Sequence, residues 1–231
     1  MKKFLIAALT TALFISCGKG DTEKTMILIG NIKGLKKGTL YLQHIPDSVL
    51  VTVDSLSISG DGNFTFKTEL DSPEIFYLYL NKKDNNDIND RITFFGEPGS
   101  ITITTNWNTF DTNVKIEGSE TQKKLEEYRK VMSTINLRNM ALMQSATNTE
   151  NPLDSLQLDS IARVGDKNVQ RGYAYALNFA LNNSNSYIAP YIALYEVPDA
   201  NRIYLDSISR SLTPEVADSK YGKALKVFLA Q

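Results

Sequence analysis

Short runs in which apolar and polar residues alternate occupy the first half of the chain. Within 26–32, for example, alternate side chains would lie on opposite faces of a strand, and the pattern recurs up to residue 117. We predict eight strands, at a spacing typical of an antiparallel β-sandwich or a jelly-roll-like barrel. Their predicted bounds are 26–32, 38–43, 49–59, 63–69, 75–81, 91–95, 100–104 and 113–117.

Two glycine-containing turns are predicted to close hairpins. Gly60 and Gly62 separate the third and fourth strands, and glycine adopts positive φ at no steric cost. Gly34 and Gly38 separate the first two strands in the same way. The apolar phase of the third strand shifts near 54–55, which predicts a β-bulge or a short break there.

The hydrophobic period changes to that of a helix at Gly118. Ser119 and Gln122 have the spacing of a capping box, in which each side chain binds the backbone of the other residue. Further helices are predicted to follow, one of them beginning at Pro152. The predicted fold is therefore α+β, with an antiparallel β-sandwich of about eight strands over 26–118 and an all-helical region over 119–231.

The N-terminus has the features of an export signal. Lys2 and Lys3 precede an apolar run that is too short to span a membrane, and Cys17 follows directly. The segment 13–17 resembles the lipobox of bacterial lipoproteins, which implies that Cys17 is lipidated. We predict a lipoprotein signal peptide over 1–16 and a flexible tether over 17–25.

Lipidation would fix the protein at a membrane, because two or three acyl chains anchor almost irreversibly whereas one anchors marginally. We expect a position in the bacterial cell envelope, on the outer membrane. The sequence leaves open whether the protein faces the periplasm or the outside.

Charge and composition exclude several functions. The net charge is −1, with no basic stripe, so nucleic acid is not an expected partner. The single cysteine excludes an intramolecular disulfide and a CxxC redox pair. The single histidine, His44, is expected at the surface, and no catalytic residue, metal site or cofactor is predicted.

Four further features could be functional or merely structural. The loop containing Asp84, Asp87 and Asp90 lacks the glycine and glutamate of an EF-hand, so we interpret it as solvated. Methionines within one predicted helix could form an adaptable binding face, but their spacing favours the core. Trp107, in a loop, is a speculative ligand-binding residue that could stack on a sugar, or it could pack at the seam between sheet and helices. The same two interpretations apply to the tyrosines of the helical half. The methionines are Met132, Met140 and Met143, and the tyrosines are Tyr173, Tyr175, Tyr187, Tyr191 and Tyr195.

Several short segments resemble those of a known family. The segments IGNI (29–32), GDGNFTF (60–66) and IEGS (116–119) resemble a β domain of unknown function found at the N-terminus of envelope lipoproteins. In those proteins a thioredoxin-like thiol-disulfide oxidoreductase domain follows, and the helical half here resembles the segment that joins the two. The resemblance does not imply redox activity for this chain, because it has no CxxC pair.

The expected function is that of a membrane-anchored, non-catalytic binding or docking module, and not of an enzyme. One alternative is the accessory half of a thiol-disulfide exchange system, with the thioredoxin-like domain on another chain. A second alternative is a glycan-binding surface lipoprotein that uses Trp107.

Overall fold

The computed structural model describes residues 24–82, 90–147 and 152–231. In these ranges eight strands precede six helices, which confirms the predicted α+β class. The strands are β1 (Thr25–Lys33), β2 (Lys37–His44), β3 (Val51–Ser59), β4 (Asn63–Glu69), β5 (Glu74–Asn81), β6 (Asp90–Gly96), β7 (Gly99–Asn106) and β8 (Lys115–Glu117). The helices are α1 (Glu120–Ala146), α2 (Ser155–Asn182), α3 (Ile188–Tyr195), α4 (Arg202–Ser211), α5 (Pro214–Ala217) and α6 (Lys220–Leu229).

The strands form two four-stranded sheets that pack face to face. One sheet has the order β4-β1-β7-β8 and the other the order β3-β2-β5-β6. The pairing is antiparallel throughout except between β1 and β7, which run parallel. The prediction of a purely antiparallel domain therefore needs this one correction.

Both predicted hairpins are wrong. Strand β1 pairs with β4 and β7, and β2 pairs with β3 and β5, so each of the two glycine turns carries the chain from one sheet to the other. Gly62 has a φ of 75°, and a Cβ on it would lie 2.2 Å from the carbonyl oxygen of Ile32. Alternation of apolar and polar residues identifies a strand but not the strand it pairs with. A glycine turn with positive φ can close a hairpin, and it can equally connect two sheets as an arch.

The predicted bulge in the third strand is confirmed. The register between β2 and β3 shifts between Leu42, which lies opposite Asp54, and Gln43, which lies opposite Thr52. Val53 is the extra residue on β3, one position from the predicted site.

The space between the sheets is filled by side chains from both inner faces. Gly30 on β1 makes room for Phe64, since a Cβ there would lie 2.3 Å from the Cζ of that ring. The largest fully buried side chains of this core are Phe66, Phe76, Phe94, Phe110, Met26, Leu28, Ile32, Leu40, Leu42 and Leu78.

Helix α1 begins as predicted and is tied to the sheet. The Ser119 hydroxyl accepts a hydrogen bond from Gln122 N at 3.0 Å. The capping box is incomplete, because the Gln122 side-chain oxygen does not accept from Ser119 N. It accepts a hydrogen bond from Phe95 N on β6 at 2.9 Å. Helix α2 begins at Ser155 with a complete capping box from Asp154, so the predicted start at Pro152 is wrong.

The helices share a core with the second sheet. Ile75 on β5 and Phe95 on β6 belong to the cluster that the helices bury, together with Leu125, Tyr128, Ile192, Ile208 and Leu225. The sheet is thus covered on both faces near the start of β5, which accounts for the continuous apolar run over 75–80.

The distal parts of α1 and α2 extend beyond this core as a helical hairpin. In α1 the buried residues all lie between Thr121 and Tyr128. Met132 packs partly against the core, but Met140 and Met143 are 59% and 65% exposed, so the prediction that all three are core is wrong. None of the described helices is both long and apolar enough to cross a membrane.

Candidate functional site

Helix α6 is pinned to the start of β5 by its first two residues. Lys220 N donates to the Ser72 hydroxyl at 3.0 Å, just before the strand. The Tyr221 hydroxyl accepts from Ile75 N at 2.9 Å. The helix is capped by Ser219, whose hydroxyl accepts from Gly222 N. These contacts fix Lys220 and Tyr221 against the start of β5.

A buried glutamate binds both Lys220 and His44. Glu74 is 8% exposed, and its carboxylate binds the Lys220 ammonium with one oxygen and His44 Nδ1 with the other, the latter at 3.1 Å. The Lys220 ammonium also donates to the Ile45 carbonyl. The His44 ring stacks on Phe76 at a centroid distance of 5.3 Å. His44 is therefore half-buried and hydrogen-bonded to Glu74, which corrects the expectation of an ordinary surface histidine.

An open pocket of about 290 Å³ lies on one side of Lys220. We call it the tyrosine pocket, and it is lined by Ile45, Asp47, Ser48, Ile75, Tyr77, Tyr191, Tyr195, Lys220 and Tyr221. Ring contacts hold its walls, because Tyr221 meets Tyr191 at 5.4 Å and Tyr195 at 5.7 Å, both edge to face. The pocket thus has a rigid aromatic wall and an ammonium at its edge.

The hydroxyls of this wall stay neutral at physiological pH. Burial raises the pKa of Tyr221 far above its ordinary value, and the hydrogen bond from Ile75 opposes this only in part. Burial also raises the pKa of Tyr191, against the lowering effect of the nearby Arg129, and the pKa of Tyr195. These side chains therefore offer neutral hydrogen-bonding groups and apolar ring faces.

The outer face of the same sheet continues the aromatic surface away from the helices. The Arg91 guanidinium lies 5.4 Å from the ring centroid of Tyr77 and 5.8 Å from that of Tyr79. Tyr79 stacks in turn on Tyr41 at 5.8 Å. Arginine held over tyrosine rings is typical of residues that dominate binding energy at protein interfaces.

A second open pocket, of about 400 Å³, lies on the other side of Lys220. Its lining is mostly charged or polar and includes Glu69, Asp71, Ser72, Asp218 and Lys223. Within the ranges that the structure describes, no group of three or more histidine, cysteine or acidic residues is placed to hold a metal ion.

Some of the residues singled out in the sequence have a position in the structure and others do not. Cys17, Asp84 and Asp87 fall outside the described residues. Asp90 begins β6. Trp107 lies in the predicted loop after β7, is 44% exposed and does not reach the seam between sheet and helices.

The seam is occupied instead by tyrosines of the helical half. Tyr191 meets Phe95 of β6 edge to face at 5.6 Å, as the packing interpretation predicts. Tyr175 stacks on Tyr128 within the helices, whereas Tyr173 donates to Asp199 at 2.6 Å.

Sequence patterns did not reveal Glu74, Lys220 or Tyr221. Glu74 and Lys220 are 146 positions apart, and each stands at the first position of its element, where charged residues are ordinary. The only local signal was Pro73, which marks the start of β5.

Comparison with known proteins gives a match to part of the chain. Residues 26–125 match the family described as Domain of unknown function (DUF4369), which spans all eight strands and the first residues of α1. No curated protein and no solved structure matches the chain. The match agrees with the predicted resemblance to an N-terminal β domain of unknown function, and the association with thioredoxin-like domains stays a prediction.

Proposed function

We propose that this chain is a lipid-anchored docking module of the bacterial cell envelope, which binds a protein partner at the tyrosine pocket without transforming it. The observation that supports this most is the arrangement of Tyr195. Its side chain is 60% exposed while its ring is held edge to face against the buried Tyr221. A large aromatic side chain that is both exposed and fixed loses little conformational entropy on binding.

The chemistry of the pocket favours recognition. The tyrosine hydroxyls have raised pKa values and stay neutral, so they suit hydrogen bonding more than proton transfer. Lys220 is engaged by Glu74 and by the Ile45 carbonyl, which limits its freedom to act as a nucleophile.

The anchor in this proposal is Cys17, lipidated after removal of residues 1–16. Strand β1 begins at Thr25, so a short polar tether would separate the acyl chains from the sandwich. Membrane fractionation of cells tests the anchor. The natural chain should sediment with membranes and Cys17→Ala should be released, whereas unchanged sedimentation of Cys17→Ala would refute the anchor.

Site-specific photo-crosslinking tests the docking surface in cells. A benzophenone amino acid in place of Tyr195 should give a discrete adduct with one partner. The matched control is Tyr204 on α4, which is 53% exposed and does not line the tyrosine pocket. No adduct from position 195, or the same adducts from both positions, would contradict the proposal.

A thioredoxin-like oxidoreductase on a separate chain is the partner that the family resemblance favours. In that case the adduct from position 195 should contain a protein with a CxxC pair, identified by mass spectrometry. An adduct with a protein of another kind would dismiss the thiol-disulfide role while retaining the docking role.

A further inference from the structure

A third open pocket, away from the helices, combines an aromatic ring with positive charge. It has a volume of about 250 Å³ and is lined by Gly34, Leu35, Lys36, Lys37, Lys82 and Trp107, which we call the Trp107 patch. It lies where β2 begins and where β5 and β7 have just ended. The docking proposal makes no use of it.

The indole ring of the patch is held in place by the backbone around it. Trp107 N donates to the carbonyl of Lys33 at 3.1 Å, which fixes the start of the loop against the end of β1. Gly34 has a φ of 83°, and a Cβ on it would lie 2.7 Å from Cδ1 of the indole. The turn therefore requires glycine both for its conformation and for the close approach of the ring.

The charge of the patch has one sign. Its described lining contains three lysines and no acidic residue. The Lys82 ammonium lies 5.7 Å from the centroid of the indole. Lys36 and Lys37 are exposed and form no ion pair with any described residue. The patch thus offers an apolar ring surface beside the Lys36 and Lys37 ammonium groups, which can bind an anion.

We propose that the Trp107 patch binds an acidic carbohydrate, with a sugar ring stacked on the indole and its carboxylate, sulfate or phosphate group held by Lys36 and Lys37. A sugar ring has an apolar face of C–H groups, which suits stacking on an aromatic side chain. An anionic substituent on that ring could then meet Lys36 and Lys37, which line the same pocket as the indole. An exposed Trp with cations could also stack nucleobases, but the net charge of −1 provides no extended basic track for a nucleic acid backbone.

The patch lies at the far end of β1 from the proposed tether, so the anchor does not by itself bring lipid headgroups to it. Strand β1 runs from Thr25, next to the tether, to Lys33, which contacts Trp107. At about 3.3 Å per residue, the strand places the patch roughly 26 Å from the point where the tether joins the sandwich. This orientation rests on the proposed anchor at Cys17, whereas carbohydrate binding at the patch does not.

Intrinsic fluorescence tests the proposal directly, because Trp107 is the only tryptophan of the chain. The full chain, purified in mild detergent, is titrated with hexagalacturonate and with sulfated and phosphorylated hexasaccharides. Neutral maltohexaose is the matched control. An acidic sugar should give a saturable fluorescence change that added salt weakens, and maltohexaose should give none.

Substitutions test whether the acidic sugar binds at the Trp107 patch, and calorimetry measures the affinity of each variant. Lys36→Gln with Lys37→Gln should weaken binding about tenfold. Trp107→Ala should weaken it about tenfold or more, and Trp107→Phe, which keeps an aromatic face, should lose less. Lys67→Gln with Lys226→Gln removes the same charge from exposed positions outside the patch and should leave the affinity unchanged.

Three results would overturn the inference. These are no binding of any acidic hexasaccharide, equal binding of maltohexaose, or binding that the Lys36 and Lys37 substitutions leave intact. Binding to phosphatidylglycerol vesicles or to single-stranded DNA without binding to any acidic sugar would also reject it. None of these results bears on Cys17→Ala fractionation or on crosslinking at position 195.

Discussion

The phenolic oxygen of Tyr221 accepts a hydrogen bond from Ile75 N at 2.9 Å, across 146 positions of the chain. Strand β5 pairs with β2 on one side and β6 on the other, and the amide of its second residue donates to a helix instead of a strand. The contact joins the last helix to the sheet beside the tyrosine pocket. Sandwich and helices are therefore coupled where the proposed partner would bind.

Removing the Tyr221 hydroxyl should destabilise the fold. Tyr221→Phe keeps the ring but leaves the buried Ile75 N–H without its acceptor. We expect the free energy of unfolding to fall by about 1–3 kcal/mol, measured by urea denaturation.

Tyr204→Phe is the matched control for this substitution. Tyr204 is exposed on α4, and removal of its hydroxyl should change the free energy of unfolding by less than about 0.5 kcal/mol. Equal effects of the two substitutions would show that the bond to Ile75 contributes nothing specific.

The pair of Glu74 and Lys220 should show strong coupling. Lys220→Met leaves the buried Glu74 carboxylate with only His44, and we expect a loss of about 3 kcal/mol. Replacing both residues, as Glu74→Leu with Lys220→Met, removes the unpaired charge and should recover much of that loss. A double-mutant cycle of urea midpoints measures the coupling, and additive losses would contradict the interpretation.

The features of the fold that could be predicted are those that the apolar and polar residues of a single segment encode. Alternation located all eight strands, and the change of period at Gly118 located the start of α1 after Ser119. The pairing of strands could not be predicted at the turn containing Gly60 and Gly62, since its glycines permit either a hairpin or an arch. The prediction that Met140 is buried was wrong for a related reason. Periodicity shows which face of a helix is apolar, but not how much of the helix's length packs against the core.

The candidate site was less predictable than the fold. Glu74, Lys220 and Tyr221 are brought together only by the docking of α6 on β5, and no local spacing encodes that contact. Trp107 could be singled out because an exposed aromatic residue in a polar loop is a local feature. The lysines beside it come from two separate segments, at 36–37 and at 82, and their proximity to Trp107 could not be predicted.

Stability should fall at alkaline pH, and Tyr187 should contribute to the fall. Burial, followed by the hydrogen bond that its hydroxyl donates to Glu215 at 2.6 Å, raises the pKa of Tyr187 to about 12 from an ordinary 10.0. The folded state therefore holds this proton when the unfolded state has lost it. The stability that results is complete below pH 10 and is lost as the pH rises to about 12.

Tyr187→Phe checks this contribution. Urea denaturation between about pH 9 and pH 12 should show a shallower loss of stability for the variant than for the natural chain. Parallel curves would mean that Tyr187 has the same pKa in the folded and unfolded states.

Two glycines should respond oppositely to alanine. Gly30→Ala places a Cβ 2.2 Å from the Ile103 carbonyl oxygen and against Phe64, so we expect a loss of about 2 kcal/mol or more. Gly165 lies inside α2 with nothing near its Cβ position, and Gly165→Ala should stabilise by about 0.5–1 kcal/mol. Thermal unfolding of both variants decides the matter, and a destabilised Gly165→Ala would contradict the open surroundings of that residue.

Shortening a side chain should cost little stability in the distal part of α1, but much more where α1 packs against the core. Leu125→Ala removes a fully buried side chain on α1 and should cost about 2–5 kcal/mol, because it leaves a cavity beside the sheet. Met140→Ala lies on the same helix, but its side chain is largely exposed and should cost less than about 0.5 kcal/mol. Urea denaturation of the full chain distinguishes the two. A large loss from Met140→Ala would mean that the distal half of α1 is covered in solution, by a second copy or by another part of the chain.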